Sequence, residues 1–190
     1  KLIASSFILN GYGKSTGLMQ IDEIGTLESI IALTNTMNVG LVYDAVTDYT
    51  IEECKKENIY LSTFNPVICE CNDSYLNEIH NRVIKKEHVY KAIENATLDF
   101  EEGDVGAGKG MSCHQLKGGI GSASRIVNLN GTPYTVGVLV LSNHGLLKDL
   151  TISGRNIGKE LSKKINVDQT TDKGSIISII ATDIPLSCRQ

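Results

Sequence analysis

Short apolar runs bounded by polar residues mark the predicted strands of this chain. Four runs are predicted to be buried strands: Ile3–Leu9, Ser29–Leu33, Pro66–Glu70 and Ser175–Thr182. Two further strands, Ser122–Leu129 and Tyr134–Ser142, are separated by Asn130-Gly131, a dipeptide typical of a tight β-hairpin turn. The chain therefore contains at least one antiparallel strand pair.

Apolar residues at helical spacing predict three helices between these strands. The first follows Asn38, a suitable N-cap, and its apolar face is Val39, Val42, Tyr43 and Val46. The second has the strongest pattern and extends from Val83 to Thr97, with a stripe of Val89, Ala92, Ile93 and Ala96. The third is indicated by Ile157, Leu161 and Ile165. Helices combined with an antiparallel hairpin favour an α+β fold in which helices are layered on sheet.

Composition and charge narrow the class of protein. A length of 190 residues with 41% hydrophobic and 21% charged residues is typical of one globular domain, so we expect a single domain over residues 1–190. A net charge of -4 gives no excess of cations for general nucleic-acid binding. No run of about 18 apolar residues occurs, so we expect no membrane span. Five cysteines with no repeated spacing argue against a disulfide framework and favour a reducing, cytoplasmic location.

Two common cofactor motifs are only partly matched. Gly103, Gly108 and Lys109 have phosphate-loop spacing, but Gly110 replaces the hydroxyl residue that binds magnesium, and acidic residues precede the motif. The pairs Cys69/Cys71 and Cys113/His114 lack a second pair at zinc-site distance. We therefore expect no cofactor and no metal.

Three segments, taken in order, carry a more specific signal. They are Leu33-Thr-Asn35-Thr-Met-Asn-Val-Gly40, the glycine-rich stretch from Asp104 to Arg125, and Asp172-Lys-Gly174-Ser175 with the strand that follows it. Residues 66–70 and 138–145 add lesser matches. Over nearly all of its length the chain resembles the family of L-aminopeptidase/D-esterases and β-peptidyl aminopeptidases, which are self-processing serine hydrolases of the N-terminal-nucleophile type.

The Gly174–Ser175 peptide is suited to self-cleavage on chemical grounds. Gly174 lacks a side chain, so its carbonyl can be approached closely. The Ser175 hydroxyl could attack that carbonyl, and hydrolysis of the resulting ester would leave Ser175 with a free α-amine that can act as a base. The alternative without any chemical function is a turn at Lys173-Gly174, after which Ser175 is only the first residue of a strand.

The resemblance implies a role for several other residues. Asn143 would donate its amide to the oxyanion, Glu70 would hold the amino group of the substrate, and Asn35 would line the same pocket. Without the resemblance, Asn143 is a turn residue and Glu70 is a strand-end carboxylate facing water. Lys14 and Ser74 depart from the family's pattern, which concerns the substrate pocket rather than the chemistry.

The implied protein is an aminopeptidase or amidase that hydrolyses N-terminal amino-acyl amides, esters or short peptides. Its implied fold is a four-layer α/β/β/α sandwich, incomplete at both ends here, so we expect a partial chain of a longer precursor that forms homo-oligomers after processing. Two alternatives stay open. One is a non-catalytic or truncated member that binds a small amino compound at Glu70, and the other is a relative that transfers the acyl group to an amine.

Overall fold

The computed structural model describes residues 1–167 and 174–190. Asp172 and Lys173, which begin the third of the segments above, lie outside the described residues. The chain divides into two compact units. Unit 1 comprises Lys1–Glu70, His80–Phe100 and Pro185–Gln190, and unit 2 comprises Cys71–Ile79 and Glu101–Ile184.

Unit 1 is built from three helices and four short strands. In chain order these are β1 (Leu2–Ile3), α1 (Leu18–Ile24), β2 (Thr26–Leu27), β3 (Ile31–Asn35), α2 (Val39–Lys56), β4 (Val67–Cys71, whose last residue belongs to unit 2) and α3 (Lys86–Glu94). Strand β1 pairs with β2 in one sheet and β3 pairs with β4 in another. A single 3₁₀ turn, Thr36–Asn38, joins β3 to α2.

The core of unit 1 lies under helix α2 and confirms the predicted helix. Its buried side chains are Val39, Val42, Ala45 and Val46 of α2, Ile68 of β4 and Val89 of α3. The α2 residues recur at helical spacing, so one face of the helix is covered. Asn38 is the N-cap residue, as predicted, but its side chain makes no cap bond; its Nδ2 donates to Asn35 Oδ1.

Two predictions for unit 1 are corrected by the structure. Helix α3 is shorter than the predicted span from Val83 to Thr97. Of the predicted stripe, Val89 and Ile93 pack in the core, whereas Ala92 and Ala96 are exposed. The predicted strand Ile3–Leu9 is wrong. The pairing of β1 with β2 ends after Ile3, and without a partner strand the apolar residues 7–9 are exposed.

Unit 2 is dominated by an antiparallel three-stranded sheet. Its elements are β5 (Ser112–Cys113), β6 (Leu116–Lys117), β7 (Gly119–Leu129), β8 (Thr132–Asn143), β9 (Thr151–Ile152), β10 (Arg155–Asn156), α4 (Ile157–Leu161) and β11 (Ser175–Thr182). The strand order is β11-β8-β7. The predicted hairpin is confirmed, with Asn130 at φ 53° and Gly131 at φ 85°, as a primed turn requires.

Strand β11 has the predicted bounds but is less buried than its sequence indicates. It pairs with β8 along one edge, and its residues alternate between half-buried and exposed. Ile176 and Ile180 are 41% and 67% exposed. A continuous apolar run is typical of a strand covered on both faces, whereas β11 is an edge strand with one face open.

Two further expectations, on disulfides and on membrane-spanning helices, can be compared with the described residues. None of the five cysteines is in a disulfide, in agreement with the prediction from their spacing. Within residues 1–167 and 174–190, no helix combines the length and the apolar character that a membrane crossing requires.

Candidate active site

Ser175 and Asn143 are brought together by the register of the central sheet. Ser175 begins β11, Asn143 ends β8, and the two residues are direct partners in the antiparallel ladder. The Asn143 Nδ2 group donates a hydrogen bond to Ser175 Oγ at 3.0 Å. The two residues to which the family resemblance gives catalytic roles are therefore neighbours.

The side chain of Asn143 is held by two backbone groups. Its Oδ1 accepts a hydrogen bond of 2.9 Å from the Ser112 backbone N–H, and its Nδ2 donates one of 2.8 Å to the Asn72 carbonyl. Asn143 is only 7% exposed. Since a backbone N–H can only donate and a carbonyl can only accept, one orientation of the amide satisfies both neighbours. The Nδ2 group is therefore aimed at Ser175.

A second donor faces the Ser175 hydroxyl. The backbone N–H of Asn72 donates to Ser175 Oγ at 3.4 Å. Two N–H groups therefore converge on the hydroxyl oxygen of Ser175. The role of Asn72 was not predicted from the sequence, because the contact uses its backbone amide and a backbone amide has no signature in the residue type.

Glycine is required at position 174 because the chain passes against the end of β8. A Cβ atom added to Gly174 would lie 2.3 Å from His144 Cβ and 2.4 Å from His144 Cα. Real Cβ atoms do not approach other carbon atoms so closely, so a side chain here would displace the residue before Ser175. The glycine keeps the Gly174–Ser175 peptide next to Asn143.

The glycine-rich stretch before β7 is held by one lysine. Lys117 Nζ donates to the carbonyl oxygens of Gly108 at 2.8 Å and Gly118 at 2.7 Å, and it lies 3.3 Å from a carboxylate oxygen of Asp104. The loop thus uses a cation to bind its own backbone. This arrangement differs from a phosphate loop, in which backbone N–H groups surround a bound anion.

Glu70 and Asn35, in unit 1, are both buried side chains near the β3–β4 pair. Glu70 is 5% exposed, so it does not face water. Its Oε1 accepts a hydrogen bond of 2.9 Å from the Lys14 backbone N–H, and its Oε2 accepts one from the Thr36 hydroxyl. Thr36 directly follows Asn35, whose Oδ1 accepts a 2.6 Å bond from Asn38 Nδ2. The Leu33–Gly40 segment and Glu70 therefore contribute to one polar cluster.

The charge of Glu70 is balanced by hydrogen bonds alone within the described residues. None of the ion pairs found there includes Glu70, and the Lys14 ammonium donates instead to the Tyr12 carbonyl at 2.6 Å. A buried carboxylate without a cation is costly, and each of its oxygens can accept more than one hydrogen bond. The cluster is chemically suited to receive a protonated amine.

Cys69, beside Glu70 in β4, is not suited to serve as a nucleophile. Burial is the main cause that raises the pKa of the Cys69 thiol, and the negative charge of Glu70 adds to it, against a lowering effect from the Ser15 hydroxyl. A buried thiol with a raised pKa stays protonated near neutral pH, and the thiol is far less reactive than the thiolate.

The chain belongs to Peptidase family S58, whose match covers residues 1–190. Among its relatives is a β-peptidyl aminopeptidase from Sphingosinicella xenopeptidilytica, which is 39% identical over 98% of this chain and 49% of that protein. The β-peptidyl aminopeptidase from Sphingosinicella microcystinivorans is 37% identical over 95% of this chain and 48% of that protein. The chain thus spans about half the length of the curated relatives it matches.

Solved structures support the same assignment. The PH0078 protein from Pyrococcus horikoshii OT3 is 50% identical, with a TM-score of 0.90 over 99% of this chain and 51% of that chain. The L-aminopeptidase D-Ala-esterase/amidase from Ochrobactrum anthropi, described as a new variant among the Ntn hydrolase fold, is 32% identical, with a TM-score of 0.82 over 94% of this chain and 49% of that chain. The family resemblance and the α+β fold class inferred from the sequence are confirmed.

Proposed function

We propose that this chain is part of the precursor of a serine aminopeptidase whose nucleophile, Ser175, is released by self-cleavage at the Gly174–Ser175 peptide. The observation that carries this proposal is the pair of N–H donors on Ser175 Oγ, from Asn143 at 3.0 Å and from Asn72 at 3.4 Å. The relatives named as aminopeptidases support the reaction class. The substrates would be amino-acyl amides, esters or short peptides with a free amino terminus.

Self-cleavage would be an acyl shift followed by hydrolysis. Ser175 Oγ attacks the Gly174 carbonyl carbon, the carbon–nitrogen bond breaks, and the hydroxyl proton ends on the released amine. The Gly174 acyl group is then an ester on Oγ, and water hydrolyses it to a carboxylate. The close passage of Gly174 along His144 supports this step, since it keeps the scissile peptide in contact with Asn143.

Turnover would use the new amine and the same amide donor. An α-amine has an ordinary pKa only slightly above neutrality, so a sizeable fraction is unprotonated and can take the Oγ proton as Ser175 attacks a substrate carbonyl. An acylated Oγ is a weaker hydrogen-bond acceptor than a hydroxyl. The Asn143 Nδ2–H that Oγ held can then turn to the oxyanion on the adjacent carbon, as the resemblance implies.

Glu70 is proposed to bind the amino group of the substrate, with Asn35 in the same polar cluster. The burial of Glu70 and its lack of an ion pair within the described residues support this role. A carboxylate dedicated to an ammonium group would restrict the enzyme to chain ends.

We further propose that the processed chains form homo-oligomers. A cytoplasmic location is proposed because none of the five cysteines is in a disulfide.

We expect Glu70→Gln to weaken amine binding about ten- to a hundredfold, because a hydrogen bond to a charged group contributes about 1.5–3 kcal/mol. Glutamine keeps the fold: its Oε1 can accept from Lys14 N–H while its Nε2 donates to the Thr36 hydroxyl. The measurement is calorimetric titration with L-alaninamide in a Ser175→Ala background, which separates binding from turnover.

The matched control is Glu94→Gln, which removes the same charge from an exposed position at the end of α3. It should bind L-alaninamide like the parent protein. Equal affinity in Glu70→Gln and in the control would refute the amine-binding role.

The experiment that tests self-processing is the intact mass of the freshly purified chain under denaturing conditions. We expect the 20.6 kDa species to be replaced by two fragments, residues 1–174 and 175–190. A single 20.6 kDa species that persists on incubation would contradict self-cleavage by this chain. If that species still bound L-alaninamide, the non-catalytic alternative would take its place.

A further inference from the structure

Three metal-ligating side chains meet in unit 2 outside the proposed catalytic chemistry. Cys113, His114 and His144 each offer one ligand atom, and these atoms all lie within 4.8 Å of one another. A thiolate and two imidazoles form a ligand set that zinc prefers in proteins. We propose that this cluster is a binding site for a zinc-like divalent transition-metal ion.

The turn that carries His114 has an unusual backbone. His114 and Gln115 are the two residues between strands β5 and β6, and their φ angles are +51° and +60°. Hairpin turns of this kind normally use Asn-Gly because side chains are strained at positive φ. Strain retained at two successive non-glycine residues is a feature that clusters at functional sites. Here the strained turn presents His114 next to Cys113.

Two hydrogen bonds, one between backbone groups and one to a side chain, fasten this turn to the segment that carries His144. The His114 N–H donates to the His144 carbonyl at 2.7 Å, and the Leu147 N–H donates to Gln115 Oε1 at 3.0 Å. The two imidazole rings are in edge contact, with centroids 5.6 Å apart and planes at 60°. The three ligands are therefore brought together by the protein's own bonds.

The hydrogen bonding of both rings suits a metal ligand. His114 Nδ1 lies 3.0 Å from the Leu146 carbonyl, which can only accept, so Nδ1 carries a proton and Nε2 is the nitrogen left for a metal ion. Metal-bound histidines typically donate their second nitrogen to a carbonyl in this way. His144 Nδ1 is buried and has no hydrogen-bond partner among the described residues. A buried ring nitrogen without a partner is costly, and coordination of a metal ion through Nδ1 would give it one.

The spacing of the ligands is close to that of a real site. Zinc binds sulfur at about 2.3 Å and nitrogen at about 2.0–2.1 Å, so tetrahedral ligand atoms lie about 3.3–3.7 Å apart. Binding would therefore bring ligand atoms that are up to 4.8 Å apart closer together by about 1 Å. Three protein ligands leave a fourth position for water. His144 also lies against Gly174, so the ion would bind the segment that borders the proposed cleavage site.

The test is a titration of the Ser175→Ala protein with Co²⁺, followed by absorption spectroscopy. This background prevents self-cleavage, so the result does not depend on the proposed peptidase function. We expect one ion per chain, a thiolate-to-cobalt charge-transfer band and the intense visible bands of a four-coordinate site. Zn²⁺ should displace the cobalt and abolish these bands.

Two ligand variants and one control decide the assignment. Cys113→Ser should abolish the charge-transfer band, and His144→Phe should weaken binding at least about tenfold. Cys54→Ser, which removes a half-buried thiol of α2 in unit 1, should leave the spectrum unchanged. Circular dichroism shows whether each variant is folded. Absence of the band in the parent protein, or a band that survives Cys113→Ser, would overturn the proposal.

Discussion

We expect Ser175→Ala to remain a single 20.6 kDa chain and to hydrolyse no aminopeptidase substrate. Alanine removes the hydroxyl that would attack both the Gly174 carbonyl and the substrate. The fold should persist, because Asn143 keeps its bonds to Ser112 and Asn72 when the hydroxyl is absent. The measurements are intact mass over time and release of p-nitroaniline from L-alanine p-nitroanilide.

Ser178→Ala is the matched control for this variant. Ser178 lies three residues further along β11, is exposed, and pairs in the ladder with Val140 rather than with Asn143. It should process and react like the parent chain. A Ser175→Ala protein that is cleaved after Gly174, or that hydrolyses the anilide at the parent rate, would eliminate Ser175 as the nucleophile.

We expect Asn143→Ala to slow self-cleavage about a hundred- to a thousandfold, the usual cost of removing one oxyanion donor. The variant loses the Nδ2–H group that lies 3.0 Å from Ser175 Oγ. It also leaves the Ser112 N–H and the Asn72 carbonyl without their partner, so we expect some loss of stability as well. The rate is measured by intact mass at a temperature below the thermal midpoint of the variant.

Asn156→Ala separates the loss of stability from the loss of chemistry. The Asn156 side chain also bridges two backbone groups, since it accepts from Lys159 N–H at 2.8 Å as the cap of α4 and donates to the Lys148 carbonyl at 3.0 Å. Removing a cap costs about 0.5–2 kcal/mol. This control should melt earlier but cleave at the parent rate. Equal slowing in both variants would mean that Asn143 acts through stability alone.

Patterns of residues close together in the chain were sufficient to predict several elements of the fold. The apolar spacing of α2, the Asn130-Gly131 turn and the bounds of β11 follow from periodicity and turn chemistry, which depend on residues close together in the chain. The Gly174-Ser175 dipeptide and Asn143 were found through the family resemblance, which rests on residue types in short motifs. Their direct pairing in the ladder was outside the reach of local patterns.

Burial was predicted less well because it depends on partners distant in sequence. The run Phe7–Leu9 is apolar but exposed, and Ile180 of β11 is exposed as well, since no described element covers them. Conversely, Glu70 is charged but buried, because Thr36 and Lys14 N–H supply its hydrogen bonds. Hydrophobicity states a preference for burial, and tertiary contacts decide whether it is met.

The sequence by itself determined the class of fold, the family and the identity of the proposed nucleophile, because these depend on residue types in a fixed order. Only the tertiary structure decided which groups face Ser175 Oγ, since one of them is the backbone N–H of Asn72. It also brought His144 next to the Cys113-His114 pair, about thirty residues earlier in the chain. Strand register and the hydrogen bonds between loops create this proximity, and both depend on residues that are distant from one another in the sequence.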